Sequence, residues 1–142
     1  MDGEKEKLKE QKYNNFYMEI AERVAKMSYA KRLQVGSVLV KNDNIISFGW
    51  NGMPSGWINN CEDENLKTKP EVLHSETNCI SKLAKIGQSS NGATMFITHA
   101  PCLECAKLIY QSGIKSVFYR NTYRSTDGVD FLTKCGIEVK NV

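Results

Sequence analysis

Three side chains able to hold a soft divalent cation stand in two short motifs, His74-Ser75-Glu76 and Pro101-Cys102-Leu103-Glu104-Cys105. The two cysteines are spaced i, i+3, which on a helix puts both sulfurs on one side. A helix N-terminus presents its positive dipole end there and favours thiolate, the form a metal binds. One imidazole and two thiolates are a set that zinc accepts at about 2.0–2.3 Å, and three protein ligands leave one tetrahedral corner for water. An open corner points to catalysis, because zinc lowers the pKa of its water towards neutrality. Glu76, one residue removed from His74, suits a proton shuttle beside that water better than a fourth ligand.

Taken alone, Cys102-x-x-Cys105 also fits half of a structural zinc site or a redox pair. A structural site needs a fourth ligand, for which the candidates are Cys61, Cys79, Cys135 and His99. Cys79 falls on the apolar side of a predicted helix and Cys135 at the end of another, where small buried thiols are expected. His99, just before the turn at Pro101, reads as a packing or hydrogen-bonding group that can also line the site. Cys61 lies in a long loop and receives no role.

The elements that must bring these residues together follow from periodicity. Tyr13, Phe16, Tyr17, Ile20, Val24 and Met27 mark one face of a first helix beginning at Tyr13, after a charged leader over residues 1–12. Gln34–Val40 and Ile45–Trp50 read as strands of a hairpin joined by an Asn/Asp turn. From Asn51 to Pro70 the chain is turn formers and charges, a loop of a length that usually carries function or is mobile. A second helix should hold His74 near its start, bury Ile80, Leu83 and Ala84, and stop at Gly87. A strand at Thr94–Thr98 follows. A third helix opened by Pro101 turns Leu108 and Ile109 inward and closes at Gly113. Ser116–Tyr119, Asp127–Lys134 and Ile137–Val142 read as strand, helix and strand. Strands alternating with helices from residue 94 onward imply crossover connections and a sheet covered on both faces, with antiparallel character added by the hairpin.

Composition narrows the class. The 142 residues, 41% hydrophobic and 25% charged, suffice for one domain over residues 13–142 and not for two. A formal net charge of +3, with lysines dispersed, suggests neither a nucleic-acid grip nor an acidic tail. No apolar run approaches the roughly 18 residues of a membrane span. Residues 1–12 lack the apolar core of a signal peptide, so a cytoplasmic location with the five cysteines as thiols is expected.

The order H-x-E then P-C-x-x-C is the signature of zinc deaminases acting on nucleobases. From about Asn14 to Val142 the chain resembles the deoxycytidylate deaminase family of the cytidine deaminase-like superfamily. The matching pieces are Gln34-Val-Gly36, Gly49-Trp-Asn-Gly-Met-Pro-Ser-Gly56, His74-Ser-Glu-Thr-Asn78, Pro101-Cys-Leu-Glu-Cys-Ala-Lys107, Gln111-Ser-Gly-Ile-Lys115, and Tyr119 with Tyr123. The zinc motif is specific to the superfamily, and the Gly-Trp-Asn-Gly-Met-Pro stretch narrows the match. Ser75 replaces the Ala that is common between the family's His and Glu.

The resemblance implies an α/β, three-layer α-β-α cytidine deaminase-like fold with a five-stranded mixed sheet. It implies one catalytic Zn2+ per subunit on His74, Cys102 and Cys105, with Glu76 as proton shuttle, in hydrolytic deamination of dCMP to dUMP and ammonia. That product would supply thymidylate synthesis. Asn51 matches a sugar contact, Tyr123 an aromatic against the pyrimidine face, and Ser28, Arg32 and Asn78 positions where monophosphate contacts gather. Regulation by dCTP as activator and dTTP as inhibitor, as Mg2+ complexes at Gly49, Trp50, Asn51 and Gly52, is implied in a homo-oligomer, typically a hexamer. No membrane and no nucleic-acid polymer is expected as a partner. Competing readings are a tRNA adenosine deaminase, a free-nucleoside cytidine deaminase and a zinc-stabilised binding module without catalysis.

Overall fold

Asn42 and Asp43 both adopt left-handed backbone, with φ of 50° and 61°, and this pair closes the hairpin between β1 (Gly36–Lys41) and β2 (Asn44–Trp50). Two consecutive positive φ values match the twist of the flanking strands, and Asn and Asp tolerate them best among residues with side chains. The computed structural model describes residues 2–142. The remaining elements are α1 (Asp2–Ala25), α2 (Ser75–Lys85), β3 (Thr94–His99), α3 (Leu103–Gln111), β4 (Ser116–Asn121), α4 (Asp127–Lys134) and β5 (Glu138–Asn141).

The sheet runs β2-β1-β3-β4-β5, antiparallel on both sides of β1 and parallel from β3 to β5. Alternation along the strands sorts the core into two layers. Val38, Val40, Phe96 and Phe118 pack against Tyr17, Met18 and Ala21 of α1. Leu39, Met95, Ile97 and Val117 point the other way, onto Cys79 and Leu83 of α2, Ala106 and Ile109 of α3 and Leu132 of α4. The three-layer α-β-α architecture with a five-stranded mixed sheet is therefore as expected. Among the described residues, no helix is long and apolar enough to cross a membrane.

Helix α1 departs from expectation twice. It begins at Asp2, not Tyr13, so the charged leader continues the same helix. Asp2, Glu4 and Glu6 precede Lys5, Lys7 and Lys9 by three residues, acids occupy the first turn, and most of these residues are good helix formers. No apolar stripe marks such a segment, because it touches no core. Second, the buried face is Tyr17, Met18, Ala21 and Ala25, while Tyr13, Phe16 and Met27 stay exposed. Gly36 sets this rotation: any side chain there would run into the backbone of Ala21 and Ala25, so β1 crosses α1 at its two alanines.

Helix α2 buries Ser75, Glu76, Cys79 and Leu83, with Ile80 partly covered and Ala84 exposed rather than buried as expected. Its stop at Gly87 is as read: φ is 74°, and the amides of Gly87 and Gln88 bond back to Ala84 and Leu83. Cys135, expected to be buried, is half-exposed as the C-cap of α4.

Candidate active site

His74 is the N-cap residue of α2 and Cys102 the N-cap residue of α3, both with extended backbone and neither spending its side chain on the cap. Both side chains are thereby left to project from helix N-termini at the carboxyl end of β3. Cys105 lies one turn further along α3. The Nδ1 of His74 is 3.6 Å from Sγ of Cys102 and 3.3 Å from Sγ of Cys105, and one ligand atom from each residue falls within 4.8 Å of the others. Bonds of about 2.0–2.3 Å to one tetrahedral ion place their donor atoms roughly 3.5–3.8 Å apart, so the cluster already has the spacing of a three-ligand zinc site.

Each half of the cluster is held by close backbone packing. Gly49 of β2 has no room for a Cβ against the backbone of Ser75 and Cys79. Ser37 donates to the Ser75 carbonyl at 3.1 Å and Ser47 to the Cys79 carbonyl at 2.7 Å, which seats the first turn of α2. On the other side, Gly128 of α4 presses on the carbonyls of Pro101 and Cys102 and backs the cysteine turn.

The two thiols are driven in opposite directions. Hydrogen bonds from Cys105 and then His74 lower the Cys102 thiol to about 4, while the bond to Cys102 and burial push Cys105 up. The bond to Cys102 also raises His74 against the opposing effect of burial. Glu76 stands outside the ligand cluster and is 3% exposed. Burial pushes its carboxyl up, opposed by the Ser75 hydroxyl, which donates to Oε1 at 2.8 Å. A buried carboxyl beside a metal-ligating cluster can carry a proton at neutral pH, which an exposed one does poorly.

His74, Glu76 and Cys102 open into a cleft of about 690 Å3. Its walls include Asn51, Tyr123, Arg32 and His99, all of which the sequence singles out. The Asn51 side chain is committed at both ends, accepting from Val35 N–H at 2.8 Å and donating to the Leu33 carbonyl at 2.8 Å, so it fixes the cleft's edge. His99 Nδ1 lies 2.9 Å from the Thr98 hydroxyl, and burial holds its imidazole below the ordinary value.

Ser28 and Asn78 are not brought to the cleft wall. Ser28 donates to the Asn51 carbonyl and accepts from Ala30 N–H, which ties the turn after α1 to the loop after β2, and Asn78 donates to the Trp50 carbonyl, which ties α2 to the end of β2. Of the four residues from Gly49 to Gly52, Trp50 stacks on Phe48 at 6.2 Å beneath Lys82, and Gly52 bridges to Leu73. Sequence reasoning missed Cys61, Glu62, Lys67 and Thr68 in the long loop and Arg124 beyond β4, all of which line the cleft. The length of that loop is the only signal for the first four, and nothing in the sequence marks Arg124.

A mixed sheet carrying a His/Cys/Cys cluster on two helix N-termini, with a buried glutamate beside it, defines a protein of the cytidine deaminase-like class. The chain belongs to the family described as the cytidine and deoxycytidylate deaminase zinc-binding region, whose model matches residues 11–121. It is similar to the deoxycytidylate deaminase of Enterobacteria phage T4, at 34% identity over 88% of this chain and 87% of that protein. The human deoxycytidylate deaminase is 38% identical over 79% of this chain and 67% of its own length. The dCMP deaminase of cyanophage S-TIM5, solved in complex with dCMP and dUMP, superposes with a TM-score of 0.90 at 46% identity, covering 92% of this chain and 97% of that one.

Proposed function

We propose that this chain hydrolyses dCMP to dUMP and ammonia with one Zn2+ per subunit, its residues 13–142 forming a single deaminase domain. The observation that carries the reading is the three-donor cluster of His74, Cys102 and Cys105 with Glu76 buried beside it and outside it. Zinc held by His74, Cys102 and Cys105 would supply a water activated at neutral pH. Glu76 takes the water's proton and passes it to N3 of the pyrimidine as oxygen adds to C4. A second transfer through the same carboxylate carries the proton of the hydroxyl now on C4 to the amino nitrogen, the C4–N bond breaks, and ammonia leaves behind a C4 carbonyl. Arg32, Lys67 and Arg124 on the cleft wall suit a substrate bearing a phosphate, Asn51 its sugar edge and Tyr123 its ring face. The resemblance to enzymes named for dCMP, one of them solved with dCMP and dUMP, supports this choice of substrate.

The rest of the reading follows the family resemblance. Magnesium complexes of dCTP and dTTP act as activator and inhibitor through Gly49–Gly52, the active form is a homo-hexamer, and the enzyme works in the cytoplasm on free nucleotides that feed thymidylate synthesis. Ammonia release from dCMP, CMP, deoxycytidine and dCTP, each with and without magnesium dCTP, tests it. Turnover fastest on dCMP, much slower on deoxycytidine, and raised by effector is expected. Equal turnover of deoxycytidine would overturn the nucleotide assignment, and indifference to effector would overturn the regulatory one.

A further inference from the structure

Glu62 is 4% exposed, yet it belongs neither to the ligand cluster nor to any ion pair among the described residues. Its carboxylate is taken up by backbone instead. Both oxygens accept from Lys31 N–H, at 3.2 and 3.1 Å, and Oε2 also faces Arg32 N–H at 3.4 Å. A buried charge satisfied only by amides is costly to assemble and rigid once made. Here it joins two loops of the same cleft. One is the turn after α1, which contributes Arg32 and Leu33, and the other is the loop 61–69, which contributes Lys67 and Thr68.

The second loop is itself braced. Asp63 Oδ1 accepts from the amides of Asn65 and Lys67, Asp63 N–H bonds to the Lys67 carbonyl, and Glu62 pairs with Thr68 in an isolated bridge. The Arg32 and Lys67 side chains are exposed and make no ion pair among the described residues, so only their backbones hold them at the cleft.

We infer that Glu62 is a positioning residue for substrate binding: by gripping the amides of Lys31 and Arg32 it holds the Arg32 guanidinium where it meets the substrate's phosphate. The inference rests on the reading of the cleft as a dCMP site. Glu62 touches no reacting atom in this scheme, and its effect falls on nucleotide capture rather than on proton transfer.

Steady-state kinetics of the zinc-loaded enzyme test it, using Glu62→Gln, Glu62→Ala, Arg32→Ala and the double variant E62A/R32A. Losing a charge-assisted contact should raise the KM for dCMP by about tenfold in Glu62→Ala, less in Glu62→Gln, which keeps one acceptor, with kcat within about twofold. The kcat/KM for deoxycytidine, which has no phosphate, should move little. In the Arg32→Ala background Glu62→Ala should add nothing, because the residue it positions is gone. An unchanged KM in both Glu62 variants, a fall in kcat alone, equal losses for dCMP and deoxycytidine, or full additivity with Arg32→Ala would each overturn the inference. If Glu62→Ala does not fold, Glu62→Gln carries the same comparison. A wild-type enzyme inactive on dCMP would instead sink the substrate reading, and this inference with it.

Discussion

The hydroxyl of Ser75 donates to the carboxylate of Glu76, its neighbour in the chain, at 2.8 Å, both side chains being buried at the first turn of α2. The bond gives Oε1 a fixed donor at the foot of the ligand cluster. Ser75→Ala should therefore lower kcat by about tenfold and by no more than about a hundredfold, the worth of one hydrogen bond to a charged group, because the carboxyl itself remains. Single-turnover rates for the variant check this, and a loss of several hundredfold would mean that the hydroxyl itself takes part in the chemistry.

Replacing the carboxyl is a different matter. Glu76→Gln should cut deamination by about 10^2–10^4-fold, the usual contribution of a positioned acid-base group, with zinc content unchanged because Glu76 stands outside the ligand cluster. Ammonia release together with metal analysis of the same sample reads both. Persistent turnover would remove Glu76 from the role of proton carrier.

Removing the ion should be felt in stability as well as activity. A chelator strong enough to strip zinc should abolish turnover, lower Tm and be reversed by added Zn2+, since metal binding to the folded ligand set is folding free energy. Cys105→Ser should reproduce the chelated state permanently. Scanning calorimetry with and without chelator makes the comparison.

Two effects of opposite sign meet at Gly128. Within a helix, Gly→Ala ordinarily stabilises by about 1 kcal/mol through backbone entropy. At this position the new Cβ would meet the carbonyls of Pro101 and Cys102, backbone atoms with no rotamer to yield. Overpacking of that kind costs about 1–3 kcal/mol, so packing wins. Gly128→Ala should unfold at lower denaturant and bind zinc more weakly, because what it displaces is the turn presenting Cys102.

His99 predicts a pH effect. Burial lowers its pKa below the ordinary value of 6.5. The folded state therefore takes up this proton less readily than the unfolded chain. The stability tied to the neutral ring is fully present above the unfolded pKa and is lost as pH falls through that value towards the folded one. Thermal unfolding from pH 7.5 to 5 should show Tm dropping on the acid side, and His99→Gln should make that drop shallower. Parallel curves for the two proteins would rule the group out.

What could be read from the chain alone divides along the range of the interactions. The i, i+3 cysteines, the H-x-E pair and α4, whose observed bounds Asp127–Lys134 are those expected, depend on near neighbours in sequence. The start of α1 was hidden because its first residues are polar all round, and its buried face was misjudged because Gly36 rather than the aromatic residues decides the contact. Ser28 and Asn78 meet backbone carbonyls, and a short polar side chain carries no local sign of which distant carbonyl it will bond. Glu62 lies 31 residues from Lys31, and nothing local marks a carboxylate whose partners are distant amides.

The two helix N-termini that present His74 and Cys102 come from different parts of the topology. The first follows the hairpin, and the second opens the run of parallel strands and crossover helices. An ion gripped by both acts as a clasp between those halves, on top of whatever it does to water. Cutting the chain in the exposed stretch between α2 and β3 should then yield two fragments whose reassembly is governed by zinc concentration.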